Sequence, residues 1–310
     1  MLRTLGAAAA LALAAGGAHA AAVNEITIDG SMMFPESIHV SKAGDVYIGG
    51  SANGAVYKAQ KGSAKATLWL DPAKTGFKSA LGVFADDATN TFYLCTVSPR
   101  GGAPMPEQSN LHAFSLKTGA LIKSYPLPGG AAATCNDVDI DTQGNVFVAE
   151  TSGGRVLKLK KGAGALESWL ADERLRGVDG LAFIADGQLI VNTVTTSRMF
   201  RIPVNKDGSA GAAVELTPSI PLAAPDGMRK SGGKRVLQAE SRAARVTEIT
   251  IDGDKAVVRV VKDNAPSTTS MALDGKRVWV LNSKFNYRTD AALKDKSPDP
   301  FTVPAVPLGR

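Results

Sequence analysis

The stretch Cys135-Asn136-Asp137-Val138-Asp139-Ile140-Asp141-Thr142-Gln143-Gly144-Asn145-Val146-Phe147-Val148-Ala149-Glu150 decides the fold. It reads as strand, turn, strand. Apolar and polar residues alternate through Val138 and Ile140, Gln143-Gly144-Asn145 supplies the turn, and Val146 to Val148 opens a second strand of β-formers. One hairpin proves little. This one recurs in phase along the chain. Asp45-Val46-Tyr47-Ile48, Thr91-Phe92-Tyr93-Leu94, Gln188-Leu189-Ile190-Val191, Arg235-Val236-Leu237-Gln238 and Arg277-Val278-Trp279-Val280 each follow a turn with Gly or Asn. The repeat is roughly 43 to 54 residues. Third strands follow, from Ala55-Val56-Tyr57 to Arg245-Val246-Thr247, and fourth strands are expected at Ala66 to Leu70, Ile122 to Leu127, Leu166 to Leu170, Ala213 to Leu216 and Val257 to Val261.

Repeats of four strands predict an all-β fold, a six-bladed β-propeller closed by its N- and C-terminal segments. The last repeat lacks obvious outer strands after Val280. Glu25-Ile26-Thr27-Ile28 is expected to supply one, and the Pro-rich tail from Ser297 to Pro307 to pack on the last blade. Closure of this kind removes the exposed sheet edges that an open array leaves.

Residues 1–20 carry one charge, Arg3, an apolar run from Ala7 to Ala15, and Ala18-His19-Ala20, which fits a small-residue cleavage site. They are expected to be a cleavable signal peptide, leaving 21–310 as a single domain in the periplasm or outside the cell. Apart from it, no apolar run approaches membrane-spanning length, so no membrane association is expected after cleavage. Without Arg3 the balance is 34 basic to 29 acidic residues, scattered and without a basic strip, so nucleic acid is not an expected partner. The expected partner is a small molecule. Oligomeric state is not legible.

In a propeller the inner strand of each blade runs along a central channel, so residues in one phase meet around one axis. Counting back eight residues from the turn Gly gives Glu36 in blade one, Asn136 in blade three, Asp179 in blade four and Pro225, next to Asp226, in blade five. Blades two and six give Gly82 and Ser267. Three carboxylates on one axis repel each other and lose hydration, which a divalent cation relieves. The all-oxygen set favours calcium, with magnesium, manganese or zinc as alternatives.

Phe34-Pro35-Glu36-Ser37, Asn136-Asp137, Val178-Asp179-Gly180-Leu181 and Pro225-Asp226-Gly227-Met228 resemble blade-start motifs of the senescence-marker-protein/gluconolactonase/regucalcin-like family, over about residues 33 to 285. The resemblance implies a metal-dependent hydrolase of a lactone or related ester. Glu36, Asp179 and Asp226 are then metal ligands, Asn136 reaches metal or substrate, and Asp226 is the general base. There are departures. Asp179 stands where many members carry Asn, Val138 replaces Gly, and Ala133-Thr134-Cys135 precedes Asn136 where sugar-lactone members often place Arg. The alternative is a non-catalytic periplasmic ligand-binding propeller with a structural metal.

Other features carry less. His39 reads as a core or wall residue and His112 as structural, so a histidine dyad is not expected. No Gly-x-Ser-x-Gly elbow is present. Cys95 and Cys135, at neighbouring blade ends, form either a disulfide or two buried thiols. Glu150 and Glu240, in one phase at second-strand ends, and Asn192 and Asn282 at similar positions, line the channel or a pocket mouth, or lie in solvent. The segment from Ser98 to Asn110 is either a lid or a passive loop.

Overall fold

The structure, a computed structural model, describes residues 22–97, 109–293 and 295–309. The expected signal peptide and nearly all of the Ser98–Asn110 segment lie outside the described residues. Among the described residues, no helix is long and apolar enough to cross a membrane.

Strands dominate and form antiparallel sheets of neighbouring hairpins. One four-stranded sheet holds Ala80–Asp86, Thr91–Thr96, Asn110–Ser115 and Leu121–Pro126. The next holds Cys135–Ile140, Val146–Glu150, Arg155–Leu159 and Glu167–Ala171, and a third runs from Val178–Phe183 to Val214–Glu215. A five-stranded sheet spans Pro225–Gly232 to Lys255–Lys262 and gains Thr217–Pro218, parallel to its last strand. The eight-stranded sheet has two halves. One runs Pro35–Val40, Val46–Gly50, Val56–Ala59, Lys65–Leu70; the other runs Met271–Asp274, Arg277–Val280, Phe301–Pro307, Glu25–Ile28.

That second half joins the two ends of the chain. Glu25–Ile28 pairs antiparallel with Phe301–Pro307, which pairs with Arg277–Val280. The N-terminal strand is therefore the outer strand that the last repeat lacked. The tail does more than pack on the last repeat, because it is the third strand of that half. A short parallel pairing of Glu25–Ile28 with Lys65–Leu70 makes the sheet continuous.

The first strands of successive sheets pack side by side and close a ring. Pro35–Val40 contacts Ala80–Asp86, which contacts Cys135–Ile140, then Val178–Phe183, Pro225–Gly232, Met271–Asp274 and back to Pro35–Val40. Apolar side chains fill the gaps between sheets rather than one central core. Tyr47, Trp69 and Phe92 meet with ring centroids 4.9 to 5.1 Å apart, joining the first two sheets of the ring. Phe147 meets Trp169 at 5.0 Å and Phe183 at 4.8 Å across the next seam but one. Aromatic pairs of this kind contribute about 0.5–1.5 kcal/mol each beyond the area they bury. Every seam holding such a cluster ties two sheets whose backbones share no ladder there, and this fixes where the inner strands stand around the axis.

Candidate functional site

A recurring irregularity aims the candidate residues inward. Cys135 pairs with Glu150, but the next pair is Val138 with Val148, so the inner strand carries one extra residue. The same bulge lies between Val178 and Leu181, between Pro225 and Met228, between Ala80 and Val83, and between Pro35 and Ser37. Asn136, Asp179, Asp226, Gly82 and Glu36 all sit inside these bulges. A bulge releases its residues from the strict in-and-out alternation of a strand and re-aims a side chain. Here it turns polar groups to the axis in strands whose alternation otherwise serves the apolar seams.

The last inner strand has no bulge; Met271 pairs with Val280 and the register runs without a break. Its turn also differs. Two residues separate Asp274 from Arg277, whereas five separate Val40 from Val46. Counting back eight residues therefore overshoots by three. Ser270, not Ser267, occupies the level of Gly82 and Glu36. Ser267 instead sits in the loop before the strand, with φ 59°, and accepts a hydrogen bond from the Phe285 amide at 2.7 Å.

The structure brings Glu36, Asn136, Asp179 and Asp226 together. Asn136 Nδ2 donates to Asp179 Oδ2 at 2.8 Å and to Thr151 Oγ1 at 3.1 Å. Glu36, Asn136 and Asp179 converge with Gly82, Gly227 and Ser270 around one tight gap on the axis. Asp226, beside Gly227, feels the charges of Asp179 and Glu36. Asn136, Asp179 and Asp226 are buried. Glu36 keeps some accessible surface because it also faces an outer cavity.

Loss of hydration raises the pKa of Glu36 well above the usual carboxylate range, and Asp179 and Asp137 raise it further, against the lowering effect of Arg229. Asp226 is raised in the same way, by burial first and then by Asp179 and Glu36. Among the described residues, no three or more His, Cys, Asp or Glu side chains are closed around one point as a preformed metal centre. The donor chemistry nevertheless suits a hard cation, because the carboxylates are oxygen donors, and the ionised forms of Glu36 and Asp226 are made costly by burial and then by neighbouring carboxylates.

Close approach of the inner strands makes glycine obligatory at Gly82, Gly180 and Gly227. A Cβ on Gly82 would stand 2.1 Å from the Asn136 carbonyl oxygen, and one on Gly180 would stand 2.5 Å from that of Asp226. Asn192, fully buried, locks the same region. Its Oδ1 accepts from the Gly180 amide at 2.9 Å, and its Nδ2 donates to the Asp226 carbonyl at 2.7 Å and to Gln238 Oε1 at 3.0 Å.

On one side of the carboxylates lies a cavity of about 970 Å³, with Glu36, Asn136 and Asp179 among its lining and Thr134, Thr151 and Phe77 around them. On the other side the channel is filled by a buried ion pair. Arg229 Nη1 donates to both oxygens of Asp137, at 2.9 and 2.6 Å, and to its neighbour's carbonyl, Met228 O, at 2.6 Å. Its Nη2 donates to Ser37 Oγ at 2.9 Å and its Nε to the Ile38 carbonyl at 3.2 Å. One guanidinium from the five-stranded sheet thus ties down the first inner strand and the one carrying Asn136. Beyond it a second cavity, about 880 Å³, opens at the other mouth and is lined by His39 and Asp139.

His39 is a wall residue. Its Nδ1 accepts from the Ala85 amide at 3.1 Å, and burial, then Arg229, lower its pKa to about 3. His112 lies away from the channel, between Thr96 and Ser124 at 2.9 and 2.7 Å and stacked on Phe77, and burial lowers its pKa to about 4. Cys95 and Cys135 are joined by a disulfide with Cα atoms 5.2 Å apart, which anchors the residue before Asn136 to the neighbouring sheet.

Glu150 and Glu240 neither line the channel nor lie in solvent. Both are fully buried. Glu150 accepts from the Thr134 amide at 3.0 Å and pairs with Arg155 at 2.8 Å; Glu240 accepts from the Ala223 amide at 2.9 Å and pairs with Arg245 at 2.8 Å. Each carboxylate pins the loop that leads into an inner strand.

Sequence reasoning missed Arg229 and Asp137. Asp137 lies inside the quoted Asn136-Asp137 motif, and Arg229 directly follows Pro225-Asp226-Gly227-Met228. The signal that could have found them is a charge within an otherwise apolar inner strand, which needs a counter-charge from another one.

Neither a family model nor a curated protein sequence matches the chain. Solved structures do. A gluconolactonase from Xanthomonas campestris superposes with TM-score 0.61 at 13% identity, covering 92% of this chain and 86% of that one. A luciferin-regenerating enzyme gives 0.64 at 15%, covering 90% and 93%. The PQQ-bound aldose sugar dehydrogenase of Streptomyces coelicolor gives 0.64 at 13%, covering 92% and 98%. All are propeller proteins. The fold is a β-propeller. At these identities the likeness concerns the fold, and the chemistry rests on this chain's own residues.

Proposed function

We propose that this six-bladed propeller, the eight-stranded sheet counting as two blades, hydrolyses a lactone or related ester at the floor of the larger cavity. The observation that carries the reading is the convergence of Glu36, Asp179 and Asp226: Glu36 and Asp179 line that cavity with Asn136, and Asp226, buried behind them, feels the charges of both. The gluconolactonase among the solved neighbours supports it. Glu36, Asp179 and Asp226 hold one divalent cation, calcium before magnesium, manganese or zinc. Bound there, the cation polarises an ester carbonyl and lowers the pKa of water.

The chain supplies the rest. Asn136 orients Asp179 through its amide and leaves its own oxygen for the cation or substrate. Asp226 takes the proton as the water oxygen bonds to the carbonyl carbon. The ring C–O bond then breaks, and the proton passes to the leaving alkoxide, giving a hydroxy acid. A carboxylate at that point can take and return a proton in both halves of that transfer. Glu36 faces the cavity. The Arg229–Asp137 pair supports the floor and blocks the channel behind it. Residues 1–20 and the Cys95–Cys135 disulfide support action after export, in the periplasm or medium.

The test is a lactone panel with calcium, manganese or zinc added, before and after chelation, on wild type, Asp226→Ala and Glu36→Gln. Turnover that disappears with chelator and falls about 10²–10⁴-fold in Asp226→Ala is expected. Chelator-resistant turnover, or full activity in Asp226→Ala, contradicts the mechanism. No turnover with any lactone leaves a ligand-binding propeller.

A further inference from the structure

We infer that the substrate carries an anionic group of its own, received by Arg288 and Lys78 at the wall of the cavity. The inference rests on the reading that the floor holds a cation, since three bare carboxylates there would repel an anion.

Both side chains line the same cavity as Glu36, Asn136 and Asp179. They come from the two neighbours that flank Pro35–Val40 in the ring. Lys78 lies in the loop entering Ala80–Asp86, and Arg288 in the short helix Asn286–Thr289 after Arg277–Val280. Most described arginines have a carboxylate partner, among them Arg155, Arg198, Arg229, Arg245 and Arg277. Arg288 and Lys78 have none among the described residues.

Arg288 is not a loose surface charge. Its guanidinium lies 5.4 Å from the Phe34 ring centroid and 5.8 Å from that of Phe285. Phe34 immediately precedes Pro35–Val40, the strand that carries Glu36, and packs on Phe285 at 6.3 Å. Stacking restricts the planar group while leaving its N–H fork to bind. A stacked guanidinium and an ammonium, both without carboxylate partners, over a floor of metal-binding oxygens make a two-pole site. One pole takes an ester carbonyl; the other takes a carboxylate through charge-assisted hydrogen bonds. This also accounts for Ala133-Thr134-Cys135 before Asn136: the cationic contact to substrate comes from other blades.

Two probes that differ by one carboxylate test this: γ-butyrolactone and 5-oxotetrahydrofuran-2-carboxylate. Turnover of both is measured on the calcium-loaded full chain. Calorimetric binding of their products, 4-hydroxybutyrate and 2-hydroxyglutarate, is measured alongside. Wild type is compared with Arg288→Gln, Lys78→Gln and the double variant, whose exposed positions leave folding intact, as circular dichroism checks. The expected result is a KM at least tenfold lower for the carboxylated lactone, tighter binding of 2-hydroxyglutarate, and loss of both preferences in the double variant. Equal behaviour of the two probes, a preference that survives the double variant, or binding of neither product overturns the inference. If neither lactone turns over but 2-hydroxyglutarate binds wild type and not the double variant, the anion site stands and the hydrolase reading falls.

Discussion

Replacing Arg229 with Met should be strongly destabilising. The side chain is buried, with about 6% of its surface accessible, and so is Asp137, at 3%. The substitution removes two contacts to Asp137, at 2.9 and 2.6 Å, and those to Ser37 and the Ile38 carbonyl. It leaves the Asp137 carboxylate buried and without its counter-charge beside Glu36 and Asp226, whose acidities it already disturbs. Breaking a buried pair by removing one partner costs about 3–5 kcal/mol. Domains of this kind have about 5–15 kcal/mol in all. Asp137→Leu should cost a similar amount by stranding the guanidinium. In the double variant Arg229→Met/Asp137→Leu neither charge is stranded, so its loss should fall short of the summed single losses by about 2–3 kcal/mol. Urea denaturation of the four proteins, in chelator so that metal binding does not enter, reads the cycle. Single losses below about 1 kcal/mol, or additivity within about 0.5 kcal/mol, would refute the reasoning.

Other outcomes follow from the same geometry. Glu36 and Asp226 have folded-state pKa values raised above their unfolded ones, so in the metal-free protein they add most stability below the ordinary carboxylate range and lose it as pH rises through the raised values. Melting temperature in chelator should therefore fall as pH rises above the ordinary carboxylate range, and Asp226→Asn should flatten the fall; a profile identical to wild type contradicts this. His112 works in the opposite sense. Its folded pKa of about 4 lies below the unfolded value, so its contribution is complete above pH 6.5 and is lost as pH falls toward 4. His112→Phe should shallow the acid limb of the stability profile, read by circular dichroism; an unchanged limb refutes it. Gly82→Ala should destabilise by roughly 1–3 kcal/mol and lower cation affinity, because the new methyl must displace Asn136. Calorimetry showing wild-type calcium affinity in that variant would refute the link.

Much of the molecule was legible because its repeats are local. Each hairpin announces itself through a turn glycine and alternating β-formers, and Gly44, Gly144 and Gly187 adopt the positive φ values of 92°, 84° and 79° that such turns need. Glu25–Ile28 was recognisable as an outer strand since the last repeat lacked one. The candidate site was legible for the same reason: phase within a repeat maps onto level along the axis. It failed where the repeat changes length. The short turn after Asp274 moved the level from Ser267 to Ser270. Pairings across the ring left no such trace. Arg229 meets Asp137 at a separation of 92 residues, and nothing periodic links those positions. Glu150 and Glu240 look like solvated strand ends, because their burial depends on loops and arginines that close over them only in the folded ring.

The central claim is that the converging carboxylates hold a cation. Elemental mass spectrometry of the purified protein, after incubation with calcium, manganese and zinc and removal of excess, tests it on wild type, Glu36→Ala and Asp226→Ala. One equivalent of divalent metal in wild type, lost in both variants, is the predicted result. Wild type without bound metal, or variants that retain a full equivalent, would contradict the account.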